Sequence, residues 1–264
     1  MITLRILGSD GGEKFRAEGR RIEAIYAAKY EEGDKIEFIL KDCDKIAIQL
    51  DETLKESLVY IPNGKYVFPI PFGQKAQAYH PDAWNKETNT IRVHEAFDDE
   101  FYAYRNVALN TASVRYDENC FPYAKANYVT RDEAWFEERN SIDGVTENDS
   151  HGAYPYQSYA GGAREDIDYT LYFGKNIEFD RIDIYLRADF ADDHDTYWKS
   201  FTVELSDGTR LPLTFEKTGE AQKFTLNKKI VTDKLHLTDF KQASDPLSWA
   251  ALTQIEVYGN YIKD

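Results

Sequence analysis

Apolar and polar residues alternate with a period of two along most of this chain, and such alternation predicts half-buried β-strands. Two clean examples, 35–40 and 45–50, are separated by a short turn, so we predict a β-hairpin there. Short strands at this density are typical of a small β-sandwich. The predicted N-terminal strands are 2–7, 21–30, 35–40, 45–50, 58–61, 66–72 and 90–94.

The same pattern resumes after a long irregular region, with further strands at short and regular intervals. That rhythm predicts a second antiparallel sandwich or jelly roll. We therefore predict an all-β protein made of two packed β-sandwich domains, residues 1–105 and 106–264. The predicted C-terminal strands are 169–173, 177–186, 200–205, 210–215, 223–226, 234–237 and 253–258.

The segment that joins the two predicted domains is rich in aromatic residues and poor in glycine and serine. Phe97, Phe101, Tyr102 and Tyr104 lie close together in it. This composition differs from that of a flexible linker. We expect the two domains to pack on each other at this point.

One short helix is predicted in the irregular region. The residues Thr130 to Glu133 read Thr-Arg-Asp-Glu, which is the pattern of a capping box at a helix N-terminus. The helix should extend to about Arg139 and lead into a polar loop over 139–159.

Composition and charge narrow the classes of ligand. Aromatic residues make up 14% of the 264 residues, which favours strands. The net charge of −15 argues against nucleic acid and anionic membrane surfaces, and it favours neutral ligands or cations. Two distant cysteines, Cys43 and Cys120, form no zinc or redox motif.

The sequence carries no sign of export or membrane insertion. Its N-terminus lacks the basic and apolar regions of a signal peptide. No apolar run approaches the roughly 18 residues that a membrane span requires. We expect a cytoplasmic protein, or an extracellular one if the sequence is a trimmed piece; its protein partners are unknown.

The loop 139–159 concentrates oxygen ligands, a histidine and aromatic rings more densely than any other segment. An exposed aromatic ring stacks on the apolar face of a sugar, while polar side chains bind its hydroxyl groups. The alternative is that one or two of the tyrosines belong to the core. The candidate ligand-binding residues here are His151, Tyr154, Tyr156, Gln157 and Tyr159.

Two other loops offer similar chemistry, because loops on a rigid β-scaffold are common sites of recognition. Arg187, His194 and Asp195 can bind hydroxyl groups, and Tyr197 can act as a platform. Trp249 precedes the last predicted strand, where it is either a stacking platform or a lid on the core.

Six short segments occur in a characteristic order between about residues 106 and 260. They are Asn106–Asn110, Ser141–Gly144, Leu171–Gly174, Ile182–Arg187, Trp198–Gly208 and Leu252–Gly259. In these segments and their order the chain resembles the discoidin family, also called coagulation-factor C-type domains. It is most similar to their bacterial relatives, the family-32 carbohydrate-binding modules, and residues 1–105 resemble no family.

The resemblance implies a galactose-binding-like jelly roll with a structural calcium ion and ligand-binding loops. By position, the calcium ligands would be Asp143, Ser150 and Glu256. Calcium takes six to eight oxygen ligands, and the residues Asp143 to Ser150 are rich in them. The alternative is a solvated acidic loop that follows a helix end.

The function predicted from the sequence is non-catalytic carbohydrate binding by a calcium-stabilised jelly roll. One alternative is a sugar-active lyase or hydrolase that uses His151, Tyr154, Arg187, His194 and Asp195 for acid–base chemistry. A second alternative is a protein-interaction module, which would present a flat apolar patch.

Overall fold

The computed structural model of the chain describes residues 1–164, 166–189, 196–243 and 249–263. The secondary structure is almost entirely antiparallel strands, which confirms the predicted all-β class. Three sheets are present, two in the N-terminal part and one in the C-terminal part.

The N-terminal part contains eight strands in two four-stranded sheets. One sheet has the strand order β2-β1-β4-β7 and the other β3-β8-β5-β6, and apolar residues from both build one core. The bounds are β1 (Ile2–Leu7), β2 (Glu13–Gly19), β3 (Arg21–Tyr26), β4 (Lys35–Leu40), β5 (Lys45–Gln49), β6 (Ser57–Tyr60), β7 (Lys65–Pro69) and β8 (Asn89–Glu95).

The alternating pattern explains how these strands are buried. In β3 the odd-numbered residues are exposed, whereas Ile22, Ala24 and Tyr26 are buried against the facing sheet. Three residues from beyond position 105, Ala112, Cys120 and Ala134, belong to the same core.

The C-terminal part is one seven-stranded sheet with the order β13-β12-β14-β11-β15-β9, and β10 pairs with β11. Its apolar side chains form a second core. The bounds are β9 (Arg105–Asn106), β10 (Tyr123–Ala126), β11 (Tyr169–Leu186), β12 (Trp198–Leu205), β13 (Arg210–Thr214), β14 (Gln222–Gln242) and β15 (Leu252–Tyr261).

Two long strands, β11 and β14, lie next to each other at the centre of this sheet. The sequence pattern predicted two separate strands in place of each, but the structure continues through both gaps. The pairing of β11 with β14 shifts register between Tyr172 and Ile177 and again after Phe179. Gly174 lies within the first shift at a φ of 73°, with the Phe121 ring 2.6 Å from where a Cβ would stand. Only glycine fits this position without displacement of the ring.

The predicted helix over residues 130–139 is wrong. The structure has three short 3₁₀ turns instead, and the Thr130 hydroxyl donates to the Ala160 carbonyl at 2.8 Å and caps no helix. Arg131 and Asp132 have φ values of 51° and 54°, which an α-helix does not tolerate. The helical segments are α1 (Asp98–Phe101) and the 3₁₀ turns Lys75–Ala78, Thr130–Asp132, Ala134–Phe136 and Glu138–Ile142.

The two β-structured parts are in direct contact. Tyr60 and Phe121 form an isolated antiparallel bridge, with both backbone hydrogen bonds at 2.9 Å. The Ser57 hydroxyl accepts a bond from the Thr111 amide at 2.9 Å. These contacts fix the N-terminal sheets against the segment that enters the C-terminal sheet.

Candidate functional site

The loop predicted to carry the ligand is attached to the end of β11 by one side chain. The Asn148 amide nitrogen donates to the carbonyl oxygens of Leu186 at 2.8 Å and Gly219 at 2.7 Å. The Asn148 carbonyl accepts the amide of Ala188 at 2.7 Å. The 143–151 loop is therefore held beside the residues that follow β11.

Three of the predicted binding residues meet at this place. Arg187 is only 3% exposed, and its Nε lies 3.1 Å from Oδ1 of Asp189. A terminal nitrogen of Arg187 donates to the Trp249 carbonyl oxygen. The other Asp189 oxygen, Oδ2, is in hydrogen-bond contact with Nδ1 of His151. We call His151, Arg187, Asp189 and Trp249 the loop surface.

The loop surface combines an aromatic ring with polar groups in fixed positions. Trp249 is 44% exposed, and His151 is exposed as well. The buried Arg187 supports the Trp249 backbone and the Asp189 carboxylate, and Asp189 in turn orients the His151 ring. An exposed indole beside oriented hydrogen-bonding groups can stack on one face of a ring and bind its hydroxyl groups.

Two predicted tyrosines lie in the turn that follows His151. The Tyr154 amide donates to the Gln77 carbonyl at 2.8 Å, and its ring meets the His80 ring edge-on at 5.2 Å. Tyr156 is partly exposed in the same turn. Tyr154 thus contacts the N-terminal part of the chain.

Other predicted ligand residues lie in the interior. Gln157 is 1% exposed and donates to the Asp143 carboxylate at 2.8 Å. Tyr159 is also 1% exposed, and its ring packs against Tyr169 in the C-terminal core. Neither side chain can touch a ligand at the surface, because the surrounding protein covers both.

The remaining members of the predicted ligand set fall in or next to the loop after β11. Tyr197 is partly buried and packs against the C-terminal core. His194 and Asp195 lie outside the described residues.

The turn predicted to bind calcium is already surrounded by protein groups. The Asp143 carboxylate accepts hydrogen bonds from the Val145 amide and from Gln157, each at 2.8 Å. The Gly144 carbonyl oxygen accepts a bond from the Lys55 ammonium group. Burial raises the pKa of Asp143 to about 7, although Gln157 and Val145 oppose that rise. The Lys55 ammonium group is thus a cation that the chain itself places at this turn.

The other predicted calcium ligands do not complete the set. On β15 the side chain that meets the turn is the neutral amide of Gln254, whose Oε1 accepts the Gly144 amide at 3.3 Å. Glu256 lies two residues further along and accepts a bond from the Tyr258 hydroxyl at 2.9 Å. Ser150 makes no hydrogen bond among the described residues. The groups at this turn do not fit the calcium ion that the resemblance implies.

A search of the described residues finds no group of three or more histidine, cysteine, aspartate or glutamate side chains placed to hold a metal ion. Both described cysteines are free thiols, and Cys120 is buried. In the same part of the chain no helix is long and apolar enough to cross a membrane.

Sequence reasoning missed three residues that shape this region. The spacing of Arg187 and Asp189 directly after a predicted strand could have identified Asp189. Gln254 and Glu256 are two residues apart on β15. Only the position of β15 relative to the turn decides that Gln254, and not Glu256, bonds Gly144. Lys55 carries no sequence signal, since it lies 89 residues from its partner Gly144.

Comparison with known proteins gives matches among solved structures only. No protein-family model matches the chain, and no curated protein matches it. One similar structure is the family 32 carbohydrate-binding module of C. perfringens NanJ in complex with galactose. It is 13% identical, covers 51% of this chain and 91% of that chain, and has a TM-score of 0.38.

Two further matches have the same character. Chitosan-binding module 1 from a Paenibacillus sp. IK-5 chitosanase/glucanase is 17% identical, covers 59% of this chain and 99% of that chain, and has a TM-score of 0.38. The Streptococcus pneumoniae fucose-binding module SpX-3 is 12% identical, covers 61% and 99%, and has a TM-score of 0.40. The three similar structures are described as a family 32 carbohydrate-binding module, a chitosan-binding module and a fucose-binding module. At such low identities and TM-scores they assign neither a ligand nor a site to this chain.

Proposed function

We propose that this protein binds carbohydrate at the loop surface formed by His151, Arg187, Asp189 and Trp249. The observation that carries the proposal is the exposed Trp249 indole, whose backbone is held by the buried Arg187. An exposed aromatic ring on an anchored stretch of backbone offers a face on which a sugar ring can stack.

Recognition of the sugar hydroxyl groups falls to the exposed His151 side chain. The contact of its Nδ1 with Oδ2 of Asp189 orients the ring. Arg187 is buried, so its role is to hold the Trp249 backbone and the Asp189 carboxylate in place. Binding in this arrangement involves no covalent step.

The net charge of the chain bears on whether the sugar at the loop surface is charged or neutral. A chain with a net charge of −15 repels anionic saccharides unless local cations dominate. The guanidinium of Arg187 is neutralised by Asp189. The proposed ligands at this surface are therefore neutral sugars.

Of the residues named for the enzyme alternative, His151 and Arg187 meet through Asp189, and Tyr154 contacts His80. His194 and Asp195 lie outside the described residues. Calcium does not enter the proposal, because Lys55 and Gln254 surround the turn at Asp143.

Calorimetric titration of the full chain with galactose and fucose, both neutral sugars, tests the proposal. Saturable binding of at least one neutral sugar is expected, with weak, millimolar to micromolar affinity for a shallow surface. No saturable binding to any neutral sugar on a broad glycan array, with folded protein, would contradict it.

A further inference from the structure

A second candidate site lies between the N-terminal part and the connecting segment 113–139, away from the residues used above. It is a cavity of about 280 Å³. Its walls come from the end of β7, from the segment 113–116 and from the 3₁₀ turns after residue 130. A space of this size is at the lower end of ligand pockets and suits one sugar ring.

The cavity contains a guanidinium group with unused donors. Arg139 is 6% exposed, its Nε donates to Glu137 at 2.8 Å, and its guanidinium lies 4.4 Å from the centre of the Tyr79 ring. Its two terminal nitrogens have no hydrogen-bond partner among the described residues. A guanidinium held this way presents a fork that matches a carboxylate.

Two more polar groups in the cavity wall lack partners. Ser113 is 2% exposed, and its hydroxyl makes no hydrogen bond in the described structure. Lys75 forms no ion pair with any described residue. A buried hydroxyl without a partner is costly, so such a group in a cavity wall indicates a missing ligand or water.

The charges around the cavity favour an anion locally. Its lining contains Lys75, Arg115 and Arg139 as cations against the two carboxylates of Asp132 and Glu137. The excess of one positive charge is notable in a chain whose net charge is −15. Local cations in a cleft can dominate the field that a small ligand meets there.

The remaining wall is apolar. The lining also contains Phe68, Ile70 and two prolines, with Tyr79 next to the Arg139 guanidinium. Such a wall accommodates the C–H face of a ring, and the cationic side accommodates a carboxylate. This combination distinguishes a sugar acid from a simple anion.

We propose that the cavity between the N-terminal part and the segment 113–139 binds a sugar acid, a single pyranose ring that carries a carboxylate. The terminal nitrogens of Arg139 bind the carboxylate, Lys75 adds a second charge, and Ser113 binds a hydroxyl group. This site is separate from the loop surface, and its proposal does not rest on the function proposed there.

The test is a calorimetric titration of the full chain with galacturonate, compared with galactose and acetate. Galacturonate should bind, and the Lys75→Met and Arg139→Lys variants should each weaken that binding at least about tenfold. Lysine keeps a charge beside Glu137, so the Arg139→Lys protein should fold. A matched control is Lys228→Met, which removes an exposed lysine that is not part of the cavity lining.

Several outcomes would overturn the assignment. They are the absence of galacturonate binding by folded protein, acetate binding as tight as galacturonate binding, and binding unchanged in both cavity variants. Loss of galacturonate binding in Trp249→Ala, with Lys75→Met unaffected, would move the ligand to the loop surface. Failure of the neutral-sugar proposal would instead appear as loss of galactose-type binding alone, so the two failures are distinguishable.

Discussion

The ammonium group of Lys55 donates a hydrogen bond to the carbonyl oxygen of Gly144, 89 residues away. Lys55 lies just before β6 in the N-terminal part, and Gly144 lies in the turn that begins the candidate ligand loop. A cation from one β-structured part therefore sits at the turn where the family resemblance implies a calcium ion.

This contact should contribute to stability. We expect Lys55→Met to lower the free energy of unfolding by about 1 kcal/mol, the net worth of one hydrogen bond with partial solvent access. Methionine keeps most of the apolar stem of the side chain. Urea unfolding of this variant beside Lys228→Met, whose lysine is exposed on β14, measures the effect; equal stabilities would contradict the role assigned to Lys55.

The same geometry predicts that calcium is not required for folding. The carbonyl of Gly144 and both oxygens of Asp143 already have protein partners. We expect the melting temperature to be the same with excess EDTA and with added calcium chloride. A clear rise with calcium, reversed by EDTA, would show that the side chains at this turn rearrange around the ion.

Gly144 itself should resist substitution for two separable reasons. Its φ is +81°, and an added Cβ would lie 2.8 Å from a methyl carbon of Leu109 and 3.1 Å from Cδ of Lys55. Gly208 has a φ of +82° with nothing within 4 Å of its Cβ position. We expect Gly208→Ala to cost about 1 kcal/mol from backbone strain alone, and Gly144→Ala to cost distinctly more. Thermal unfolding compares them, and equal costs would show that Leu109 and Lys55 move aside freely.

A buried carboxyl group should make stability depend on pH. Glu138 is 0% exposed, neither of its oxygens has a hydrogen bond in the described structure, and burial raises its pKa to about 7 against the opposing effect of Arg115. Between about pH 4.5 and 7 the folded chain therefore holds a proton that the unfolded chain has released. Stability falls as pH rises through that window, by on the order of 3 kcal/mol at about 1.4 kcal/mol per pKa unit.

Glu138→Gln removes this titrating group. The free energy of unfolding should then fall less steeply as the pH rises from about 4.5 to 7. The slope of unfolding free energy against pH is the quantity to compare, because a buried glutamine has its own constant cost. Some slope should remain, since burial also raises the pKa of Asp143 to about 7. Identical slopes in the two proteins would mean that Glu138 does not hold the proton.

The strand pattern of the chain was predictable, and the details of the site were not. Alternation identified β4 and β5 with their bounds nearly correct, because large apolar residues recur at every second position and all of these point into the core. It divided β11 and β14, since the bends within them interrupt the period without ending the strand. The helix over 130–139 failed because the Thr130 hydroxyl bonds the Ala160 carbonyl, a contact set by tertiary structure.

The exposure of the aromatic side chains and the position of the cavity could not be predicted from local sequence. Residue types alone could not separate the exposed Trp249 from the buried Tyr159, since both are aromatic and both lie in predicted loops. The residues that line the cavity near Arg139 are up to about 70 positions apart in the sequence, so no local motif predicts it. The cavity depends on how the segment 113–139 packs against the N-terminal part.

The most direct test of the central proposal is the affinity of Trp249→Ala for the neutral sugar that the intact protein binds. The indole is 44% exposed, so its removal should leave the fold intact while weakening binding at least about tenfold, or about 1.4 kcal/mol. Phe97→Ala is the matched control, because Phe97 is 59% exposed and lies outside the loop surface. The account predicts loss of binding in Trp249→Ala alone; equal affinity in both variants and the intact protein would contradict it.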